Sequence, residues 1–276
     1  MTVIRRRELP PLLRAIHDPP ARLHLRGTGD RDLLSQAAVA IVGARACSPY
    51  GSQVARMLGR ELAAAGIVVV SGLARGVDGE AHRGALEAGG RTVAVLGCGI
   101  DRDYPAAHAS LGREISDGSL LVSEYEPGVE PAPWRFPARN RIIAGLCAAT
   151  VIVEARERSG ALITVDFALE EGREVFAVPG EITSALSAGT NALLRLGATP
   201  LTSAADVLES LGIEPPSVAR PAISDIAASV LERLPATADE LVRSTGLSAG
   251  EVAAVIAELE IAGLAAGGDG LFRALA

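Results

Sequence analysis

The sequence predicts an α/β fold: an extended Rossmann-like parallel sheet with a small C-terminal winged-helix domain. Two observations lead to this prediction. Six short apolar runs rich in β-branched residues alternate with segments of helical character, which is the pattern of successive βαβ units. After a Pro-rich stretch, residues 223–276 show three helical segments and a Gly-containing hairpin, the order that is typical of a winged helix.

Residues 1–36 are interpreted as an N-terminal leader segment, because they contain two Pro pairs and only short apolar runs. Leu23-His24-Leu25 is one possible strand within this segment. From residue 37 onward the pattern is regular, and short β-branched runs predict strands that are buried on both faces of a parallel sheet. These runs lie at 38–42, 67–71, 92–96, 119–123, 149–153 and 174–178.

Helical segments separate the predicted strands, so right-handed crossovers are expected to join the parallel strands. These segments lie at 51–65, 77–88, 105–116, 139–147 and 161–171. Residues 198–211 predict a last short strand and a helix capped by Ser203. Residues 37–212 therefore form the predicted Rossmann-like core, which ends at a Pro-rich linker, residues 213–222.

The C-terminal domain, residues 223–276, has predicted helices at 223–233, 237–244 and 248–262, followed by the hairpin. From residue 222 to the end, three arginines stand against eight acidic residues. The third helix, which is the recognition helix in a DNA-binding winged helix, contains no cation. Because entry into a DNA groove would set this helix against phosphates, the sequence predicts a protein-contact or dimer-support role.

Composition and residue spacing exclude several classes of protein. The N-terminal residues lack the apolar core of a signal peptide and no apolar stretch can span a membrane, so a cytoplasmic protein is expected. The three cysteines are far apart and the histidines lack partners at ligand spacing, so no metal site is predicted. The net charge of −7 does not favour nucleic acid, but all 26 basic residues are arginines, which suit phosphates and bases where they form a local patch.

Glycine- or serine-containing turns follow three of the predicted strands and precede helices. They begin at Gly43, Ser71 and Glu154. Because parallel sheets bind ligands at the carboxyl ends of their strands and helix N-termini favour anions, these turns predict an anion-binding edge. Neither GxGxxG spacing nor a P-loop is present, so no dinucleotide or nucleoside-triphosphate cofactor is predicted.

The segment from Trp134 to Leu146 is the strongest candidate for a nucleic-acid contact. Three arginines and two aromatic residues fall within eight positions, where a helix is predicted to begin. The helix dipole repels cations at that end, and an anionic partner would remove the conflict, while Trp134 and Phe136 can stack on bases. Alternatively, Phe136 packs under the sheet and the arginines pair with nearby acids. Arg156 and Arg158 are expected to lie near this segment.

Six motifs together resemble the DprA/Smf family of DNA-processing proteins, and they occur in that family's order. They are GAR at 43–45, SGLARGVDGEAH at 71–82, FPARNRIIAGL at 136–146, SGALIT at 159–164, VPG at 178–180 and GTNALLRLGA at 189–198. The resemblance covers about residues 15–210. It implies an extended Rossmann fold that binds single-stranded DNA, forms a homodimer and loads the recombinase RecA. The implied role is to protect and process incoming single-stranded DNA in natural transformation, by binding and not by enzymatic turnover.

The resemblance also implies a set of DNA- and phosphate-binding residues, none of them catalytic. Some members of the family carry lysine among their DNA contacts, whereas arginine must supply the positive charge here. The candidates are Gly43 and Arg45 after the first strand, Ser71, Gly72 and Gly76 in the second turn, Phe136, a basic wall of Arg139, Asn140 and Arg141, and Ser159, Gly160 and Thr164 after the fifth strand.

The sequence also suggests two enzymatic alternatives to this interpretation. Asp78 and His82 share a helix face and, with Ser71, suggest a Ser-His-Asp triad, but no GxSxG elbow is present. Asp78 is interpreted as a carboxylate at a helix N-terminus, with His82 bonded to it. The second alternative is a nucleotide-hydrolysing Rossmann enzyme of the LOG type, which uses a PGGxGTxxE loop. The equivalent region, SGALITVDFALEEG, lacks the paired glycines and the placement of the glutamate.

Overall fold

Seven parallel strands lie side by side in the first part of the chain, and two antiparallel strands extend one edge of their sheet. The computed structural model describes residues 1–214, 223–268 and 270–274, which fall in two units, Met1–Pro216 and Ser217–Ala276. The predicted linker, residues 213–222, lies outside the described residues except for its first two positions. Its role as a linker therefore stays a prediction.

The strands begin and end close to the apolar runs of the sequence. Every residue of the second and fourth runs that forms a strand is buried, as expected for strands covered on both faces. The strands are β1 (Thr2–Arg5), β2 (Arg22–Arg26), β3 (Ala38–Val42), β4 (Val68–Ser71), β5 (Thr92–Leu96), β6 (Leu120–Ser123), β7 (Ala149–Ile152), β8 (Glu174–Ala177) and β9 (Thr199–Pro200).

The order of the strands determines where a ligand can be held. It is β1-β2-β6-β5-β4-β3-β7-β8-β9, so the parallel part starts at β3, adds β4 to β6 on one side, and then returns to add β7 to β9 on the other. The connections that follow β3 and β7 therefore leave in opposite directions. The crevice at the carboxyl ends of these two neighbours is the topological switch point, where sheets of this kind bind their ligands.

Helices cover both faces of the sheet. Leu58 and Leu62 pack with Val77 on one face, while Ile142 and Val165 belong to the core on the other. The helix at 188–195 was not predicted, and the helix predicted at 139–147 begins four residues earlier. The helices are α1 (Pro11–Arg14), α2 (Pro49–Ala64), α3 (Val77–Glu87), α4 (Ala109–Gly118), α5 (Arg135–Leu146), α6 (Leu162–Glu170), α7 (Ala188–Arg195) and α8 (Ala204–Ser210).

Residues 1–36 differ from the expected leader segment, because they belong to the sheet. β2 pairs with β6 and β1 pairs with β2, both antiparallel. Leu13 and Leu23 are fully buried in the core that also holds the central strands. The predicted strand at 23–25 is therefore present within β2, and β1 is the outermost strand at this edge of the sheet.

The second unit has its own small core, formed around Leu241, Val252 and Leu259. Its elements are α9 (Asp225–Leu231), α10 (Ala238–Thr245), α11 (Ala249–Ile261) and the antiparallel pair β10 (Ala265–Gly268) and β11 (Leu271–Ala274). This order confirms the predicted winged-helix arrangement. In the described part of the chain, no helix combines the length and the apolar character needed to cross a membrane.

Candidate functional site

A cavity of about 420 Å³ lies at the topological switch point. Its walls are the turn after β3, the first turns of α5, and the segment from Arg156 to Thr164 that leads from β7 into α6. The two strand ends that the sequence singled out at Gly43 and Glu154 are therefore neighbours. Their turns are joined directly, because the amide of Ala44 donates to the carbonyl oxygen of Glu154 over 2.7 Å.

Two glycines allow the turns to approach each other. A Cβ on Gly43 would lie 2.7 Å from the Val77 side chain, which is closer than folded proteins permit. Gly76 has φ +72°, and a Cβ there would collide with the carbonyl of Ala44. Since Val77 also donates its amide to Ala44, over 3.2 Å, the turns after β3 and β4 form one packed floor beside the cavity.

Positive charge at the cavity comes from exposed arginines. Arg45, Arg156 and Arg158 line it, and none of them forms an ion pair within 4 Å among the described residues. The guanidinium carbon of Arg45 lies 5.3 Å from the centroid of the Phe136 ring. An unpaired guanidinium over an aromatic ring can meet a phosphate with its edge while the ring contacts a base.

A second cavity, of about 330 Å³, adjoins the first and shares Arg45 and Phe136 with it. Tyr104 stacks on Phe136 with ring centroids 5.4 Å apart, and the exposed Arg75 lines the same cavity. Sequence reasoning missed Tyr104 and Arg75 as site residues. Arg75 stands within the glycine turn and could have been found there, whereas no sequence pattern marks Tyr104.

The segment that leads into α6 closes the cavity as predicted. Asn140 donates its side-chain amide to the carbonyl of Gly160 over 3.2 Å, and the Ser159 hydroxyl accepts the amide of Ala161 over 3.3 Å. Thr164 lies in the first turn of α6 and is buried against the cavity. The positive end of α6 lies at the cavity without a side-chain hydrogen bond from its N-cap residue Ala161, although loop carbonyls accept the amides of Leu162 and Thr164, each over 3.1 Å.

The N-terminus of α2 differs, because the protein itself occupies it. The Ser48 hydroxyl caps the amide of Gly51 over 3.1 Å. The buried carboxylate of Glu154 accepts the amide and the hydroxyl of Ser48 over 2.8 and 2.5 Å. The turn before α2, which the sequence predicted as an anion-binding turn, is thus already occupied by a carboxylate of the protein itself.

Arg139 lines both cavities, as the prediction of a basic wall requires, but it is buried and not exposed. Only 4% of this residue is exposed, and its guanidinium donates to the carbonyl oxygens of Gly72, over 2.8 Å, and Val95. Burial lowers the pKa of Arg139 to about 10, against the opposing effect of the Asp78 charge, so the group stays cationic at neutral pH. Arg139 therefore has a structural role, in which its hydrogen bonds connect the ends of β4 and β5.

Arg141 also differs from its predicted role as part of that wall. It donates to both carboxylate oxygens of Glu124, over 2.7 and 2.9 Å, and lies 3.0 Å from the carboxylate of Asp18. The alternative of arginines paired with acids therefore holds for this residue. Nη1 of Arg141 also donates to the carbonyl of Ala138 over 2.9 Å, so all three guanidinium nitrogens are engaged and little capacity remains for a phosphate.

We expect Arg141→Gln to lower stability without weakening nucleic-acid binding. Removing the arginine leaves Glu124 without its partner, at a cost of about 1 to 2 kcal/mol for a pair that is partly solvated. Urea denaturation measures the loss, and Arg141→Gln/Glu124→Gln should recover part of it. A lower salt dependence of DNA binding in the single variant would contradict this placement.

The three residues of the hypothetical Ser-His-Asp triad form hydrogen bonds with different partners and not with one another. Ser71 is fully buried and donates its hydroxyl to the carbonyl of Ile41 over 2.6 Å, so it does not line the second turn as predicted. His82 lies with Nδ1 2.6 Å from the Thr92 hydroxyl, not on Asp78, and burial lowers the pKa of His82 to about 3. Asp78 instead accepts the amides of Gly72 and Ala74, over 3.1 and 3.3 Å.

Comparison with known proteins covers both units. The family model of DNA recombination-mediator protein A matches residues 1–212, and that of the DprA winged helix domain matches residues 214–270. DNA processing protein DprA of Streptococcus pneumoniae is 48% identical over 200 residues, which are 71% of this chain and 68% of that protein. The crystal structure of the S. pneumoniae protein has a TM-score of 0.72 at 45% identity, covering 75% of this chain and 73% of the other. A structure of DNA processing protein A from Helicobacter pylori, which concerns its single-stranded DNA binding mode, has a TM-score of 0.69 at 32% identity, covering 76% and 94%.

Proposed function

Since the chain belongs to the family of DNA recombination-mediator protein A, the DprA/Smf family, we propose that it is a cytoplasmic protein that binds single-stranded DNA at the switch-point cavity. One observation carries the proposal. Arg45, Arg156 and Arg158, which form no ion pair with any described residue, surround a cavity that also offers an aromatic ring and the N-terminus of α6. Phosphates suit the cations and the helix end, and a base suits the ring.

The aromatic pair favours a single strand over a duplex. Tyr104 stacks on Phe136 with one face and is 41% exposed, so its other face can stack only on a base that is not already stacked and paired within a double helix. The H. pylori relative, whose structure concerns single-stranded DNA, supports the same preference. We propose that the candidates Gly43, Gly72, Gly76, Asn140, Ser159, Gly160 and Thr164 shape the site, while the exposed arginines supply its charge.

The wider role that we propose follows from the family. The chain would protect incoming single-stranded DNA and load RecA recombinase on it in natural transformation or recombination, as a homodimer and without turnover. Ile182 and Leu196, which precede and follow α7, are 95% and 84% exposed, and a subunit interface would remove such apolar side chains from water. The acidic winged-helix unit suits a protein partner better than DNA.

The proposal predicts salt-dependent binding to single-stranded oligonucleotides by the full chain, with weaker binding to the matching duplex. The logarithm of the binding constant should fall with the logarithm of salt concentration by about 0.7 for each phosphate contact. Fluorescence anisotropy with labelled oligothymidine measures both, with a nucleoside monophosphate as competitor. Tight binding and hydrolysis of the monophosphate, lost in Asp78→Asn or Glu170→Gln, would instead establish the LOG-type enzyme.

A further inference from the structure

An arginine cluster outside the cavity lies at the same edge of the sheet. Arg5 ends β1 opposite Arg22 of β2, while His24 of β2 lies opposite Ser123, the last residue of β6. β1 therefore runs parallel to β6 and ends beyond its carboxyl end. Arg5, Arg6 and Arg7 emerge at the edge that also carries the switch-point cavity, five strand positions away.

An aromatic cluster adjoins the cavity on the side of β6, toward these arginines. The guanidinium of Arg135 lies 4.7 Å from the ring centroid of Trp134 and 5.2 Å from that of Tyr125, which follows β6. Trp134 is 63% exposed, so one face of its ring is open to solvent. Phe136 and the cavity are only one residue further along α5 than Arg135. The cluster thus continues the aromatic surface of the cavity toward β6 and β2.

Most carboxylates along this part of the edge are paired, whereas several arginines are not. Glu124 pairs with Arg141, Glu126 with Arg22 over 2.6 Å, and Glu130 with Arg102 over 2.5 Å, while Asp101 accepts the backbone amide of Gly128 over 2.8 Å and forms no ion pair within the described residues. By contrast, Arg5, Arg6, Arg7 and Arg135 are not in ion pairs within 4 Å of described residues, and the first three are exposed. Glu8 is the nearest acid in sequence, and it accepts the backbone amide of Arg5 over 3.0 Å. The edge therefore keeps a surplus of available positive charge.

We propose that single-stranded DNA leaves the cavity along the carboxyl edge of the sheet, stacks a base on Trp134 and ends on the arginines that follow β1. This inference rests on the proposed function and extends its site. Five strand spacings amount to about 24 Å, or about seven nucleotides at the rise of a stacked strand. The exposed ring and the arginines without an ion pair among the described residues occur in the order that a stacking platform followed by a phosphate contact requires.

Oligonucleotide length separates this extension from the cavity. The full chain and its variants are titrated with oligothymidines of about 5 and about 15 nucleotides, since only the longer one can span the edge. Trp134→Ala should weaken binding of the longer strand about 5-fold or more. Arg6→Ser/Arg7→Ser should weaken binding of the longer strand to a similar extent, leave the shorter strand unaffected, and reduce the salt slope for the longer strand by about 1.4.

Arg60→Ser/Arg91→Ser is the matched control, because it removes two exposed arginines from the opposite edge of the sheet. It should bind both strands as the unchanged chain does. Wild-type affinity of the Trp134 and Arg6/Arg7 variants for the longer strand would overturn the extension while leaving the cavity intact, as would equal losses for both strands in the Arg6/Arg7 variant. If the unchanged chain bound neither strand, the proposed function itself would fail, and the extension with it.

Discussion

Arg139→Met is expected to lower the free energy of unfolding by about 3 to 5 kcal/mol, because it breaks a buried charged cluster. The carbonyls of Gly72 and Val95 lose their donor, and Asp78, which is 6% exposed, loses its nearest counter-charge. This loss approaches the total stability of many domains, so the variant should unfold at much lower denaturant concentration. Guanidinium denaturation followed by circular dichroism measures it.

The two interpretations of Arg139 predict different outcomes for this variant. If Arg139 were an exposed phosphate contact, the substitution would weaken DNA binding at unchanged stability. Because the structure buries it, Arg139→Met/Asp78→Asn should be less destabilised than the sum of the two single variants, since the double change leaves no unpaired charge. An unchanged denaturation midpoint in Arg139→Met would contradict this structural role of Arg139.

The pH dependence of this loss follows from Asp78. Burial raises the pKa of Asp78 in the folded chain, against the opposing charge of Arg139, and removing Arg139 raises it further. A carboxyl with a raised folded pKa contributes stability that is fully present below its unfolded pKa, about 3.9, and is lost as the pH rises through the folded pKa. The deficit of Arg139→Met should therefore be smaller near pH 4 than at pH 7.

Local patterns were sufficient to predict the parallel sheet, because each buried strand is a continuous apolar run. The boundaries of α5 were not predictable from the same patterns. The sequence predicted a start at residue 139, but α5 begins at Arg135 and includes Pro137 in its first turn, where proline lacks only a donor that is unpaired there anyway. The strands of residues 1–36 were obscured for another reason, since β2 pairs with β6 about a hundred residues later in the chain.

In the candidate site, too, features set by neighbouring residues were predictable, whereas contacts with residues far away in the sequence were not. Gly43 and Gly160 lie in the turns that line the cavity, where the sequence predicted them, because turn chemistry is local. The burial of Arg139 depends on carbonyls 67 and 44 residues away, and the pairing of Arg141 depends on Asp18. Arginine is rarely buried, so a sequence pattern alone favours exposure. The exposed charge of the site resides instead on Arg45, Arg156 and Arg158.

Arg45→Ser/Arg156→Ser/Arg158→Ser is expected to abolish most single-strand binding. At roughly 1 to 1.5 kcal/mol for each charge-assisted contact, the three losses together weaken binding about 150- to 2000-fold. The salt slope should fall by about 2, because each phosphate contact to a single strand contributes about 0.7. Since these side chains are exposed and unpaired within the described residues, stability should change by no more than about 0.5 kcal/mol.

The matched control for this variant removes three arginines from the amino-end edge of the sheet. Arg60, Arg91 and Arg195 are exposed and stand near the ends of segments that lead into β4, β5 and β9. Arg60→Ser/Arg91→Ser/Arg195→Ser therefore changes the net charge by the same amount without touching the cavity. If only the overall charge mattered, both triple variants would lose affinity equally, because long-range attraction depends little on where the charge is placed. A loss confined to the cavity variant, with a reduced salt slope, requires direct contacts at the switch point.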